Sequence, residues 1–259
     1  MLEPGQQIEN YRIDAVLGEG GMGTIYRATD VNLMRPVAVK VMHGNLAADP
    51  AFQGRFLQEA RAAARLDHPS IARVYHFGRQ SGLLYIVMEL VQGLSLGAYL
   101  RQLAQLNQVV RLEETLTLVA QAADALGYAH RQGVVHRDVK PDNILVKRLD
   151  GPDRPGDPPL RAMVTDFGLA KLAETDGETQ AGLMMGTLPY MSPEQVLDRP
   201  VDGRSDIYSL GVVLYQLATG QLPLDIRSPE RALQAHQYEE VAPPRSVQSG
   251  VPPAVEAVI

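Results

Sequence analysis

The hydrophobic periodicity of this chain changes once, near Gln92-Gly93, and that change limits the folds open to it. Before it, Tyr11–Leu17, Thr24–Thr29, Val37–Met42, Ile71–Phe77 and Leu83–Leu90 are short, β-prone runs, and alternation at a period of two reads them as strands. Residues 51–66 interrupt them with a helical stripe of Phe52, Phe56, Ala63 and Leu66, which His68-Pro69 stops. After the change, residues 112–131 form a long amphipathic helix and Ser205–Thr219 a buried one. Short strands are expected between them, around Val134-Val135, Ile144–Val146 and Ala162–Thr165. The expected architecture is α+β and bilobal. Residues 1–10 lead in, 11–91 form a five-stranded antiparallel sheet with one helix, and 92–259 form a mainly helical lobe beyond a hinge near Glu89–Gly93. A length of 259 residues suits two lobes sharing a cleft.

Composition narrows the function classes. The net charge of −6 marks no broad nucleic-acid-binding face, so no nucleic-acid partner is expected. The absence of cysteine excludes disulfides and thiolate metal sites and suits a reducing cytoplasm. The first residues lack the basic and apolar regions of a signal peptide, and no stretch approaches the ~20 apolar residues of a membrane helix. Lys147–Arg161, with four prolines, two glycines and three aspartates, reads as a solvated loop on a hairpin.

Four segments carry chemistry. His136-Arg137-Asp138-Val139-Lys140-Pro141-Asp142-Asn143 packs a carboxylate, a cation and a metal-binding amide into eight residues. Gly18-Glu19-Gly20-Gly21-Met22-Gly23 is followed by the β-prone Thr24-Ile25-Tyr26, so it joins two strands as a flap over a ligand and does not open a dinucleotide-binding helix. In Val37–Met42, Lys40 shares a face with Ala38 and Met42, where a lysine is costly to bury unpaired. Glu59 falls on the apolar stripe of the helix at 51–66, so a buried Lys40–Glu59 pair is expected, with the lysine able to reach phosphate oxygens. Thr165-Asp166-Phe167-Gly168 closes a strand with an aspartate suited to magnesium.

In this order, and with Gly186-Thr187, Ser192-Pro193-Glu194 and Asp206-Ile207-Tyr208-Ser209-Leu210-Gly211 downstream, the segments resemble the eukaryotic-type (Hanks-type) protein kinase family from Tyr11 to the end of the chain. Lys140 and Thr187 resemble the serine/threonine branch, and the GEGGMG loop and Tyr208 resemble bacterial members. The resemblance implies transfer of the γ-phosphate of ATP to Ser/Thr hydroxyls of protein substrates, with Mg²⁺ or Mn²⁺. Asp138 would take or orient the hydroxyl proton, Lys140 would stabilise the moving phosphoryl group, and Thr187 would tie the two together. Asn143 and Asp166 would hold the metal, and Lys40, fixed by Glu59, would contact the α- and β-phosphates under Gly18, Gly20 and Gly23. Ile25, Ala38 and Leu145 would enclose the adenine against the Glu89–Val91 backbone, with Met88 as gatekeeper.

The resemblance extends to regulation. Arg137 would meet a phosphorylated loop residue, and Thr179, eight residues before Thr187, is the expected autophosphorylation site, which a homodimer would serve. Residues 251–259 begin an apolar stripe, and the family continues with further helices and an arginine partner for Glu194. The chain is therefore expected to be an incomplete second lobe of a cytoplasmic domain, its parent anchored through a segment beyond Ile259. The rival readings are a catalytically silent scaffold of the same fold, an inactive fragment, and a small-molecule phosphotransferase. The peptide-docking look of Gly186–Glu194 weighs against the last.

Overall fold

Six antiparallel strands build the first lobe in the computed structural model, which describes residues 1–106, 108, 110–149, 159–167, 186–226 and 228–259. They are β1 (Gln7–Ile8), β2 (Tyr11–Gly20), β3 (Gly23–Asp30), β4 (Arg35–Met42), β5 (Val74–Gln80) and β6 (Leu83–Glu89), in the order β1-β2-β3-β4-β6-β5. The extra strand, β1, comes from the expected lead: Ile8 is buried with Tyr11, Ile13 and Tyr26 on the outer face, and that burial holds the short strand on β2. β5 starts three residues later than the expected strand. Ile71 leaves the sheet to bridge Val164 in the second lobe.

The sheet buries both faces. The outer core holds Tyr26, Val37, Val39, Tyr85 and Val87, and the inner core joins Ala38, Met42, Ile86 and Met88 to a helix. That helix follows the short α1 (Gly44–Ala48); α2 (Pro50–Ala63) begins where the Asp49 side chain accepts the Ala51 amide and Pro50 occupies the first turn. Phe52, Phe56, Ala60 and Ala63 form its buried stripe. At the β2–β3 tip, a β-carbon on Gly23 would lie 2.1 Å from the Val41 carbonyl oxygen, so only glycine fits, whereas one on Gly18 would meet nothing within 4 Å. The tip is packed from below and open above.

The second lobe is built on two long helices, α4 (Leu112–Arg131) and α6 (Gly203–Thr219), with α3 (Leu96–Gln105) and α5 (Pro193–Val196) preceding them in turn. Leu118, Ala122, Leu126, Leu210, Val213 and Leu217 form their shared core. α7 (Pro229–Tyr238), α8 (Pro244–Val247) and α9 (Pro253–Glu256) follow. A three-stranded sheet, β7 (Leu94–Ser95), β8 (Ile144–Arg148) and β9 (Leu160–Val164), lies at the cleft.

Val134-Val135 is not a strand. The chain leaves α4 through Gly133 (φ 75°), and the Val134 amide bonds back to the Ala129 carbonyl, so Val134 turns into the core and Leu94–Ser95 takes the place beside β8. The hairpin also reaches further into the proline-rich segment than a loop reading allows, pairing Lys147 with Arg161 and Arg148 with Leu160. Among the described residues, no helix is long and apolar enough to cross a membrane.

Candidate active site

Between α4 and β8 the chain runs through residues 132–143 with few regular backbone bonds, so side chains must hold it. The root of that support is Asp206 in the first turn of α6, 1% exposed. Its carboxylate accepts the amides of His136 at 2.8 Å and Arg137 at 2.7 Å, and lies 2.7 Å from His130 Nε2. A buried carboxylate is tolerated because these groups replace its water. Arg137 sits at φ 67°, a left-handed conformation that a residue with a β-carbon keeps only when its surroundings impose it. His136, fully buried, places Nε2 2.8 Å from the Thr165 carbonyl and Nδ1 3.2 Å from the Asp138 amide, with its ring against Phe167.

Asp138 is held at both carboxylate oxygens. Thr187 Oγ1 is 3.2 Å from Oδ1, Lys140 Nζ is 3.0 Å from Oδ2 and 2.6 Å from Thr187 Oγ1, and Asn143 Nδ2 donates to Oδ2 and to the Asp138 carbonyl, both at 2.8 Å. The expected tie of Asp138, Lys140 and Thr187 is thus a closed set of contacts. Asn143 thus spends its amide nitrogen on Asp138, and among the described residues its side-chain oxygen has no hydrogen-bond partner.

Across the cleft, Lys40 Nζ lies 2.8 Å from Asp166 Oδ2, both side chains largely buried. This corrects the expected partner. Lys40 forms an ion pair with Asp166, and among the described residues none with Glu59 is seen; Glu59 stands half-buried beside the Phe52–Phe56–Ala60 stripe of α2. Asp166, at φ 64°, stands one residue beyond the Thr165 carbonyl that His136 contacts. The residues expected around the adenine lie on strands of both sheets. Ala38 pairs with Met88 and Ile25 with Lys40 in the sheet register, while Leu145 lies on β8 opposite Ser95. Met88 is buried, with the Thr165 hydroxyl 3.7 Å from its sulfur. Glu89 and Val91 follow at the crossing between lobes, and the Glu89 amide donates to the Arg73 carbonyl. Thr179 lies outside the described residues.

Beside the catalytic loop, residues 186–197 pack on α7 through Leu188, Ile226, Ala232 and Ala235. Among the described residues Glu194 has no arginine partner, and the Ser205 hydroxyl donates to its carboxylate instead. Burial pushes this carboxyl up, but hydrogen bonds from Ser205, its own backbone and Ser192 outweigh that and hold it below the ordinary range. Burial also raises Tyr190, to about 12. Motif reading assigned no role to Asp206, His136 or Gln195. The signal for Asp206 is its place as the one acid within Ser205–Thr219, a run expected to be buried, while Gln195 carries none.

The arrangement joins a hydrogen-bonded carboxylate, an adjacent ammonium and a second lysine paired with an aspartate, a set suited to moving a phosphoryl group. Comparison with known proteins agrees. The family model "Protein kinase domain" matches residues 11–252. The chain is 40% identical over 261 residues to a probable serine/threonine-protein kinase, pknA2, of Bifidobacterium longum, covering 99% of this chain and 33% of the relative. It is 38% identical to the serine/threonine-protein kinase PknB of Mycobacterium leprae, covering 100% and 40%. With the serine/threonine-protein kinase pkn3 of Myxococcus xanthus it shares 42% identity, covering 96% and 45%. It therefore spans between a third and a half of the length of these relatives. The PknI kinase domain of Mycobacterium tuberculosis, as a crystallised double mutant, superposes with a TM-score of 0.74 at 28% identity, covering 96% of this chain and 86% of that one. This chain belongs to the protein kinase family.

Proposed function

We propose that this chain transfers the γ-phosphate of ATP to serine or threonine hydroxyls of proteins. The observation that carries the reading is the closed contact set of Asp138, Thr187, Lys140 and Asn143 facing the Lys40–Asp166 pair. Asp138 orients the acceptor hydroxyl and takes its proton, and Lys140 neutralises charge on the moving phosphoryl group. Thr187 keeps both in register. Lys40 contacts the α- and β-phosphates, with Gly18, Gly20 and Gly23 above them. Asn143 and Asp166 fit a hard divalent cation: among the described residues Asn143 keeps its oxygen, and Asp166 uses Oδ2 on Lys40 and keeps Oδ1. Mg²⁺ or Mn²⁺ held there would offset the charge of the phosphates. Catalysis is then mainly positioning and charge stabilisation.

The regulatory part of the reading is autophosphorylation at Thr179, with Arg137 as the receiving cation. Among the described residues, Arg137 Nε is buried without a hydrogen-bond partner, an environment that a phosphate oxygen would satisfy. The domain is read as the cytoplasmic part of a longer protein.

The test is phosphate transfer from ATP to the chain itself and to a generic basic protein, with phosphopeptide mapping of the products. Asp138→Asn should lower the rate by roughly 10²–10⁴-fold while the melting temperature stays near that of the native chain. ATP binding without transfer would sink the enzyme reading in favour of a silent scaffold. Active protein with Thr179 unmodified would sink the regulatory part alone.

A further inference from the structure

The peptide group that leads into Asp138 is held at both ends. Its N–H, on Asp138, lies 3.2 Å from His136 Nδ1, and its carbonyl, on Arg137, accepts Gln195 Nε2 at 2.7 Å. Gln195 stands on α5, outside the catalytic loop, 58 residues further along the chain. Its other amide atom is also committed, since Oε1 accepts the Ser192 amide at 3.1 Å and the Ser192 hydroxyl at 3.2 Å. These partners fix the orientation of the amide. Turned over, it would set an NH₂ against the Ser192 N–H and an oxygen against the Arg137 carbonyl.

One side chain thus joins the end of the Gly186–Glu194 segment to the residue before the catalytic carboxylate. Arg137 needs such support: it is the left-handed residue of the loop, and Asp206 holds only its N–H. Without a constraint on its carbonyl, the 137–138 peptide could rotate and carry Asp138 with it.

We propose that Gln195 is a positioning residue for phosphoryl transfer, coupling the substrate-docking segment to Asp138 through the Arg137 carbonyl. The inference rests on the phosphotransfer reading above. It differs from a cap role for Gln195, which would need only Oε1.

Gln195→Glu separates the two roles, because it keeps oxygen to cap Ser192 and loses the donor to Arg137. The expected result is a kcat lowered about tenfold, the scale of one lost hydrogen bond set against an opposing oxygen, with KM for ATP within about twofold of native. Amide hydrogen exchange should rise across His136–Val139 and stay unchanged in α4. Gln195→Met, which lacks both bonds, serves as the second variant and should show the same kcat loss and loop exchange. Native-like kcat in either variant, or unchanged exchange across 136–139, overturns the inference. A parallel rise in KM for ATP and in exchange throughout α4 and α6 also overturns it, because Gln195 would then be supporting the lobe as a whole. If the native chain transfers no phosphate, the functional reading fails, and the exchange measurement still decides the coupling.

Discussion

Asp138 and Lys40 face one cleft from opposite lobes, but the two sides are secured differently. Asp138 rests on Thr187, Lys140, Asn143 and a loop whose amides converge on Asp206, all within the second lobe. Lys40 reaches across to Asp166, so its ion pair depends on how the lobes meet. The Asp138 side is therefore preassembled, whereas the position of Lys40 is set by lobe geometry. Regulation that moves α2 or the sheet should act on the lysine side and leave the Asp138 side intact.

Asp206→Ala offers the sharpest way to break this contrast. It leaves two backbone amides and His130 without their acceptor in the interior, at about 1–3 kcal/mol for each buried group. The expected outcome is a fall in urea midpoint equivalent to roughly 3–6 kcal/mol, with phosphate transfer lost even at denaturant concentrations where the variant remains folded. A variant with native midpoint and native rate would show that the Asp138 side is not rooted in α6.

The Lys40 side should respond less. Lys40→Met leaves Asp166 partly buried without its cation, and because some solvent reaches the pair the loss should be about 1–3 kcal/mol. Combined with Asp166→Asn, the double variant should be more stable than the sum of the single losses predicts, by about 1–2 kcal/mol. Additive losses would mean that the 2.8 Å contact contributes nothing to the meeting of the lobes.

The same contrast explains what was legible in the sequence. Periodicity assigns faces, so it located α4 to the residue, the core of the sheet and the inward direction of Lys40. It cannot assign pairs between elements. Glu59 and Asp166 are both acids near one lysine, and only three-dimensional placement chooses Asp166. β1 is two residues long, too short for a periodic signal, and is held by the burial of Ile8. Ile71 looks strand-like because it is β-branched, yet its burial is satisfied against the second lobe. Motif matching found Asp138, Lys140, Asn143 and Asp166 because the chemistry demands those residue types. It passed over Gln195, whose contribution is a hydrogen bond to a backbone carbonyl, and backbone geometry leaves no mark on residue type.

His236 supplies the smallest effect and extends the comparison to the rim of the second lobe. It stands half-buried on α7, its Nδ1 3.2 Å from the Tyr208 hydroxyl and its Nε2 buried with no close hydrogen bond among the described residues. Burial lowers its pKa, while the Met191 backbone and Glu194 pull the other way without reversing the shift. A histidine that resists protonation when folded adds stability above its unfolded pKa of 6.5, because the unfolded chain alone gains the proton as pH falls below that value. That contribution is lost progressively from pH 6.5 downwards until the folded pKa is reached. The melting temperature of the native chain relative to His236→Gln should accordingly drop by about 1–2 °C between pH 7.5 and pH 5. An equal difference at both values would mean that His236 titrates alike in the folded and unfolded chains. Because α7 packs against Leu188 in the 186–197 segment, the loss should fall on that segment first. The Asp138 contacts, anchored at the centre of the lobe, should outlast it.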